Sequence, residues 1–227
     1  PPSAQMARLA RPLVGRKAEL AQIRAAFDSA RRSDHPVRLA ISGEPGIGKT
    51  RLAVEAATTF GAETRVLIGH CLSYGEGISF WPLREIVEEA TGGTDPDAIR
   101  RMLGPIDDAD MIAGQVAGVT GWRDSSARPD QLFPAIRRFF EVLSIERPLT
   151  VIFEDFQWAQ PALVELVEYL TDSVTGHLLL MCLLRPEFLD EHRKWTQTDE
   201  ESDHLELGPL HRAEVEVDAP WPEDAAL

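Results

Sequence analysis

The chain is short of positive charge. Its 227 residues hold 23 Lys and Arg against 37 Asp and Glu, a formal net charge of −14. Ten of those charges fall between Glu187 and Leu227, where 13 acidic residues face 3 basic ones. Duplex phosphates are gripped by Lys and Arg, so this chain is a poor candidate for holding DNA by itself. If the parent protein binds DNA, another domain is expected to do so. Long apolar runs are missing too: none approaches about 18 residues, which excludes a membrane-spanning helix. Only two cysteines occur, Cys71 and Cys182, in the apolar runs RVLIGHC and LLLMCLL. Two are too few ligands for a metal site, and they read as buried free thiols of a cytoplasmic protein. A signal peptide, an internal repeat and a low-complexity segment are also lacking. The opening Pro1-Pro2-Ser3, without an initiator Met, reads as the start of a piece cut from a longer protein.

What is present suits a packed core. Hydrophobic residues make up 44% and charged residues 26%, which excludes a disordered segment. Apolar runs alternate with helical patterns, as in an α/β domain with a mainly parallel sheet. Residues 18–31 place Leu20, Ile23 and Phe27 on one helical face. VRLAIS (37–42) reads as a buried strand, 51–60 as a helix and TRVLIGH (64–70) as a second strand. CLSYGEGISFWP (71–82) has no periodicity and reads as a loop; a helix resumes at 83–90. Residues 91–130, rich in Gly, Asp and Pro, yield no element. Helix 131–144, strand VIF, helix 161–170 and strand HLLLMCLL (177–184) follow. Residues 189–203 are polar and read as a surface loop, and HLELGPL as a short fifth strand.

Between the first strand and its helix, Gly43-Glu44-Pro45-Gly46-Ile47-Gly48-Lys49-Thr50 fits G-x-x-x-x-G-K-[ST]. Glycines let the backbone curl so that its amides converge on phosphate oxygens, and the following helix adds the positive end of its dipole. Pro45 fixes one torsion of the loop. Lys49 supplies charge to the outer phosphates, and the Thr50 hydroxyl is placed to ligate Mg²⁺. Arg51, next in the helix, joins the nucleotide-contacting set. Such a loop needs a second strand bringing a carboxylate to the metal, and VIFED (151–155) supplies two. Glu154 is expected to hold the Mg²⁺ shell, and Asp155 to orient or deprotonate the attacking water.

Several motifs occur in order: LVGRKAEL (13–20), SGEPGIGKTRL (42–52), CLSYGEGISFWPL (71–83), VIFEDFQWAQPAL (151–163), CLLRPEF (182–188) and LELGPL (205–210). Together they resemble the ATP-binding domain of large bacterial signalling ATPases of the STAND class, within the AAA+-like P-loop fold. That class includes large LuxR-type regulators, Streptomyces antibiotic regulatory proteins with an ATPase module, and modules fused to class III adenylate cyclases. The resemblance covers about residues 12–212, with 1–11 as a linker and 213–227 as the truncated start of a lid domain or a tail. It implies a five-stranded sheet in which strand 178–184 lies between the phosphate-loop strand and the VIFED strand. It also implies that Arg185 acts as a sensor of the γ-phosphate, a task that suits a planar guanidinium. Val14-Gly15-Arg16 resembles the family's adenine-side motif, and Pro209 the proline that covers the base. Two departures stand out: Glu154 occupies a position often held by Asp, and WAQ replaces the commoner WAD at Gln160.

The resemblance implies a slowly hydrolysing ATP/ADP switch within a transcriptional regulator, partnered by the other domains of its parent chain. The alternatives are a regulatory module of a class III cyclase, or an AAA+ motor working as a homo-oligomer. Arg137 and Arg138 read as a solvated helix face; reaching a neighbouring subunit's nucleotide is the alternative. Tyr74, Phe80 and Trp81 read as packing for the next helix, and Glu76 has no assigned chemistry.

Overall fold

Strands β1 (Val37–Gly43), β2 (Arg65–His70), β3 (Leu149–Glu154), β4 (Leu178–Leu184) and β5 (Ser202–Leu207) pair in parallel, in the order β2-β3-β4-β1-β5. β1, β3 and β4 are buried at every position, which explains their nearly unbroken apolar sequences. The strand ending at Leu184 therefore lies between the phosphate-loop strand and the carboxylate strand, as the resemblance implied. This computed structural model describes residues 15–73, 79–120, 129–196 and 202–210. Val14, Tyr74 and Glu76 lie outside the described residues.

Alternating residues feed two cores. Leu39, Ile41, Ile152, Leu179, Met181 and Leu183 face α1 (Lys17–Arg32) and α2 (Lys49–Phe60), whose Phe27 and Phe60 stack with centroids 4.1 Å apart. Ala40, Val151, Phe153, Leu180 and Cys182 face the other helices. Those are α3 (Trp81–Thr91), α4 (Pro96–Leu103), α5 (Ala109–Thr120), α6 (Pro129–Ser144), α7 (Pro161–Ser173) and α8 (Pro186–Glu191). β2 is an edge strand, and α3 closes it. The Ile68 amide donates to Glu89 Oε2 at 3.4 Å and the His70 amide to Glu85 Oε2 at 2.7 Å. Glutamates one helical turn apart thus meet strand amides two residues apart, which shields the edge from another strand.

Two stretches depart from the sequence reading. Residues 91–130 contain α4 and α5. Asp95 caps α4 by accepting the Asp97 and Ala98 amides at 3.1 and 3.0 Å, with Pro96 opening the helix. Ile99, Leu103, Ile112 and Val116 enter the core. The second departure is at 189–203. Instead of a surface loop, α8 and a 3₁₀ turn (Arg193–Thr196) bury Trp195 completely. Its indole N–H donates to Glu168 Oε1 at 2.9 Å, the Arg38 guanidinium lies 4.4 Å from its ring centre, and Phe156 and Phe188 pack against it. Smaller differences are at boundaries: α2 begins at Lys49, and α3 at Trp81.

Cys71 and Cys182 are buried free thiols, and burial pushes both up, Cys71 to about 12. Among the described residues no helix is long and apolar enough to cross a membrane. Trp195→Ala is expected to destabilise the fold by about 3–5 kcal/mol, through the cavity left and the stranded Glu168 oxygen. Urea unfolding measures this, and a loss under about 1 kcal/mol would restore the surface-loop reading.

Candidate functional site

Parallel strands end on one side of a sheet, so whatever follows β1, β3, β4 and β5 gathers there. After β1 the loop from Gly43 turns into α2. Gly46 and Gly48 adopt φ of 78° and 102°, a region open to glycine, and Gly48 caps the helix in that conformation. Gly43 is constrained differently. A Cβ there would sit 2.9 Å from the Leu207 carbonyl oxygen, because β5 runs directly alongside. Glu44, Pro45 and Gly46 are exposed at the tip, while Ile47 anchors the loop on the α1–α2 core.

Lys49, Thr50 and Arg51 form the first turn of α2, where amides have no intrahelical acceptor and the dipole is positive. Lys49 Nζ donates to the loop's own carbonyls, Gly43 O at 2.6 Å and Glu44 O at 3.1 Å. Burial holds its pKa below the usual lysine value; Arg185 adds to that, while Asp155, Glu44 and Glu187 oppose it. These groups therefore share one electrostatic neighbourhood.

At the end of β3, Glu154 is 8% exposed and accepts a hydrogen bond from Thr50 Oγ1 to Oε2 at 3.1 Å. Its other oxygen, Oε1, is buried with no hydrogen-bond partner among the described residues. Burial raises its pKa, against the pull of His70 and the Thr50 hydroxyl. A hydroxyl and a carboxylate with one unsatisfied oxygen are hard donors, and they fit Mg²⁺. No group of three or more His, Cys, Asp and Glu able to hold a metal occurs among the described residues. A cation here would therefore need oxygens from a nucleotide and water as well.

Asp155 follows with φ 53°, left-handed for a non-glycine residue. It is exposed, and Gln157 Nε2 donates to its Oδ1 at 3.0 Å. The turn swings Asp155 out of the sheet while Phe156 drops back into the core. After β4, Arg185 caps α8, half-buried, with its guanidinium 5.5 Å from the centre of the Trp158 ring. Gln160 caps α7 through its carbonyl, which accepts the amides of Leu163 and Val164.

The adenine-side candidates form a second group beside the loop. Arg16, buried and with φ 66°, caps α1. Its guanidinium donates to Glu19 Oε1 at 2.7 Å and to Gly208 O at 2.6 Å. Gly43 is in register with Leu207, so Gly208 and exposed Pro209 leave the sheet next to the phosphate loop. Arg16 thus ties the start of α1 to the chain just past the end of β5, one residue before Pro209.

Sequence reasoning missed His70. It ends β2 in register with Glu154, so both side chains leave the same face, and its Nε2 lies 3.9 Å from Glu154 Oε1. Its Nδ1 meets Glu85 Oε2 at 3.0 Å, which raises the imidazole pKa against the effect of burial. A histidine closing a strand of a parallel sheet was the available signal. Arg137 and Arg138 face Glu141, buried on their own helix, at 2.5 and 3.1 Å. Phe80 packs on the core, and Arg84 lies 5.9 Å from the Trp81 ring centre.

A family profile described as AAA ATPase domain matches residues 12–181. No curated protein sequence matches the chain. Among solved structures, Drosophila ORC bound to DNA is similar with a TM-score of 0.55 and 13% identity, over 94% of this chain and 48% of that one. The Aeropyrum pernix ORC1 protein in complex with DNA is similar with a TM-score of 0.53 and 15% identity, over 92% and 49%. At such identities the likeness is one of fold. The chain spans about half the length of these structures.

Lys49→Ala is expected to weaken binding of a nucleoside triphosphate by about 1.5–3 kcal/mol, the worth of charge-assisted contacts. Calorimetry with ATP reads this directly, and unchanged affinity would remove Lys49 from the site.

Proposed function

Because the chain belongs to the AAA ATPase domain family and has an AAA+ P-loop NTPase fold, we propose that it is an ATP-binding, slowly hydrolysing switch domain of a larger bacterial transcriptional regulator, spanning about residues 12–212. The observation that carries the nucleotide site is the Thr50–Glu154 contact with its unsatisfied buried oxygen, set directly beside the phosphate loop. The regulator context rests on the resemblance of LVGRKAEL, VIFEDFQWAQPAL and LELGPL to the STAND class.

Each residue then has a task. Loop amides from Gly46 to Thr50 cradle the phosphates, and Lys49 exchanges its two loop carbonyls for phosphate oxygens. Thr50 and Glu154 would hold Mg²⁺, the Glu154 contact direct or through water. When bound, Mg²⁺ neutralises the charge of the outer phosphates and of the developing leaving group. Asp155, exposed beyond the strand end, orients the attacking water and takes its proton. Arg185 meets the terminal phosphate from the end of β4. Gly15, Arg16 and Pro209 wall the base, and the resemblance assigns Val14 to the same motif. The switch works because only a triphosphate presents a terminal group to Lys49 and Arg185 together, and the difference passes to the domains after β5.

Two features support a switch over a ring motor. The arginines of α6 that would have to reach a neighbour's nucleotide are engaged with Glu141 on their own helix. The acidic balance suits contacts with DNA through another domain of the parent. The isolated domain is expected to turn over at about 10⁻² per second or slower, as P-loop switches do without an arginine supplied by a partner protein. Light scattering should find the same monomer with ATP and with ADP. Rapid turnover accompanied by ATP-dependent oligomers would replace the switch with a motor. Asp155→Asn is expected to slow hydrolysis more than it weakens binding; normal turnover in that variant would pass the water-orienting role to Glu154.

A further inference from the structure

The unsatisfied oxygen of Glu154 does not face an apolar wall. It faces an imidazole that is itself held in place. His70 and Glu154 are register partners on adjacent strands. Strand side chains alternate between faces with a period of two, so these two leave the sheet side by side, on the α2 side where Thr50 waits. The carboxylate is bracketed: Oε2 takes the Thr50 hydroxyl at 3.1 Å, and Oε1 faces His70 Nε2 across 3.9 Å. His70 is fixed from behind by one oxygen of Glu85, which accepts from its backbone amide at 2.7 Å and meets its Nδ1 at 3.0 Å. A carboxylate at Nδ1 makes that nitrogen the donor and sets the ring plane. Glu85 in turn belongs to α3, hooked onto β2 a second time by Glu89 at the Ile68 amide.

We propose that His70 is a positioning residue for the metal-facing carboxylate: buttressed by Glu85, it fixes the orientation of Glu154, and so α3 is mechanically linked to the Mg²⁺ side of the nucleotide site. The inference rests on the nucleotide reading above and adds to it an outer support that none of the sequence motifs contains. The physical case is that of a carboxylate whose rotamer has to be set before a cation arrives. Glu154 carries one methylene more than Asp would, hence one more torsion to fix, and Thr50 restrains only one of its oxygens. A side chain on the far flank supplies the second restraint. Supports of this kind act through the ligand they orient, and removing one typically lowers metal affinity by about 10–100-fold. Direct phosphate contacts from Lys49 and the loop amides do not pass through His70.

The test separates those two routes. ATP affinity is measured by calorimetry with Mg²⁺ and again in EDTA, for the wild-type chain and for His70→Ala, His70→Gln and Glu85→Ala. The expected result is that His70→Ala loses about tenfold of the Mg²⁺-dependent gain in affinity. Affinity in EDTA stays at the wild-type value. Glu85→Ala follows in the same direction with a smaller loss. His70→Gln, whose carboxamide can present an N–H to that flank, recovers part of the gain. Equal losses with and without Mg²⁺ would make His70 a purely structural residue and overturn the proposal, as would an unchanged Mg²⁺-dependent gain in His70→Ala. A wild-type chain that binds no ATP under either condition would overturn the nucleotide reading itself, a different failure. Thermal unfolding of each variant identifies any loss that comes from misfolding, and in that event the soluble His70→Gln chain decides: it must fall between wild type and no Mg²⁺-dependent gain for the proposal to stand.

Discussion

Glu154 leaves the sheet between a threonine hydroxyl and an imidazole, 8% exposed, at the end of a fully buried and mostly apolar strand. A carboxylate in such a place is unstable unless its neighbours compensate for lost hydration. Here the compensation is partial. Thr50 satisfies one oxygen, His70 offers charge at a distance, and burial still lifts the carboxyl above its usual range. The residual deficit is what a divalent cation with a phosphate would relieve. In the proposed reading, stability and nucleotide binding are thus linked through one side chain, on which Thr50 and His70 converge.

Those positions converge because of sheet order. The phosphate loop follows β1 and the carboxylates follow β3, yet β1 and β3 are not neighbours; β4 separates them. Thr50 reaches Glu154 only because α2 begins immediately after the loop and lies across β4 on that face, above Met181 and Leu183. The same intervening strand delivers Arg185 between the two edges of the site, since Ser42 is in register with Leu184. A single parallel register therefore places lysine, carboxylates and arginine within one electrostatic neighbourhood. On the other flank, β5 brings Gly208 to Arg16 by the same rule, and a guanidinium bond to its carbonyl closes that wall.

The parts legible in sequence were those with local causes. Buried strands announce themselves as apolar runs, and Gly46 and Gly48 as a loop whose torsions few other residues tolerate. Helices α4 and α5 were legible in principle: Asp95-Pro96 is a cap followed by a proline at the first turn, and Gly104 ends the helix. They were obscured by the Gly and Asp around them, which read as loop. Trp195 was not legible, because one aromatic in a stretch of polar residues has no periodicity. Its burial depends on Arg38 and Glu168, each far away in the chain. His70 was hidden for a related reason: its meaning comes from register with Glu154, 84 positions later, and from a glutamate on a helix whose docking no local pattern predicts.

Under the proposed switch, Lys49 and Arg185 would be the residues that report on the nucleotide. Lys49 is bonded to two carbonyls of its own loop, and Arg185 lies over the face of Trp158. Each cation therefore has a protein partner to leave when a phosphate arrives, so the net gain from binding is smaller than the contacts alone suggest. Under the proposed roles, a diphosphate would offer Lys49 a replacement but would not extend to the place where a terminal phosphate would meet Arg185. In the proposed switch, release of Arg185 from Trp158 would be the contact that differs between the two nucleotides, and only such a difference can shift an equilibrium between conformations. Arg185 also caps α8, which packs Phe188 against Phe156 and Trp195. The proposed sensor is thereby rooted in the same aromatic cluster that holds the end of the sheet, and a rigid cluster of this kind transmits a discrete shift better than a flexible loop would.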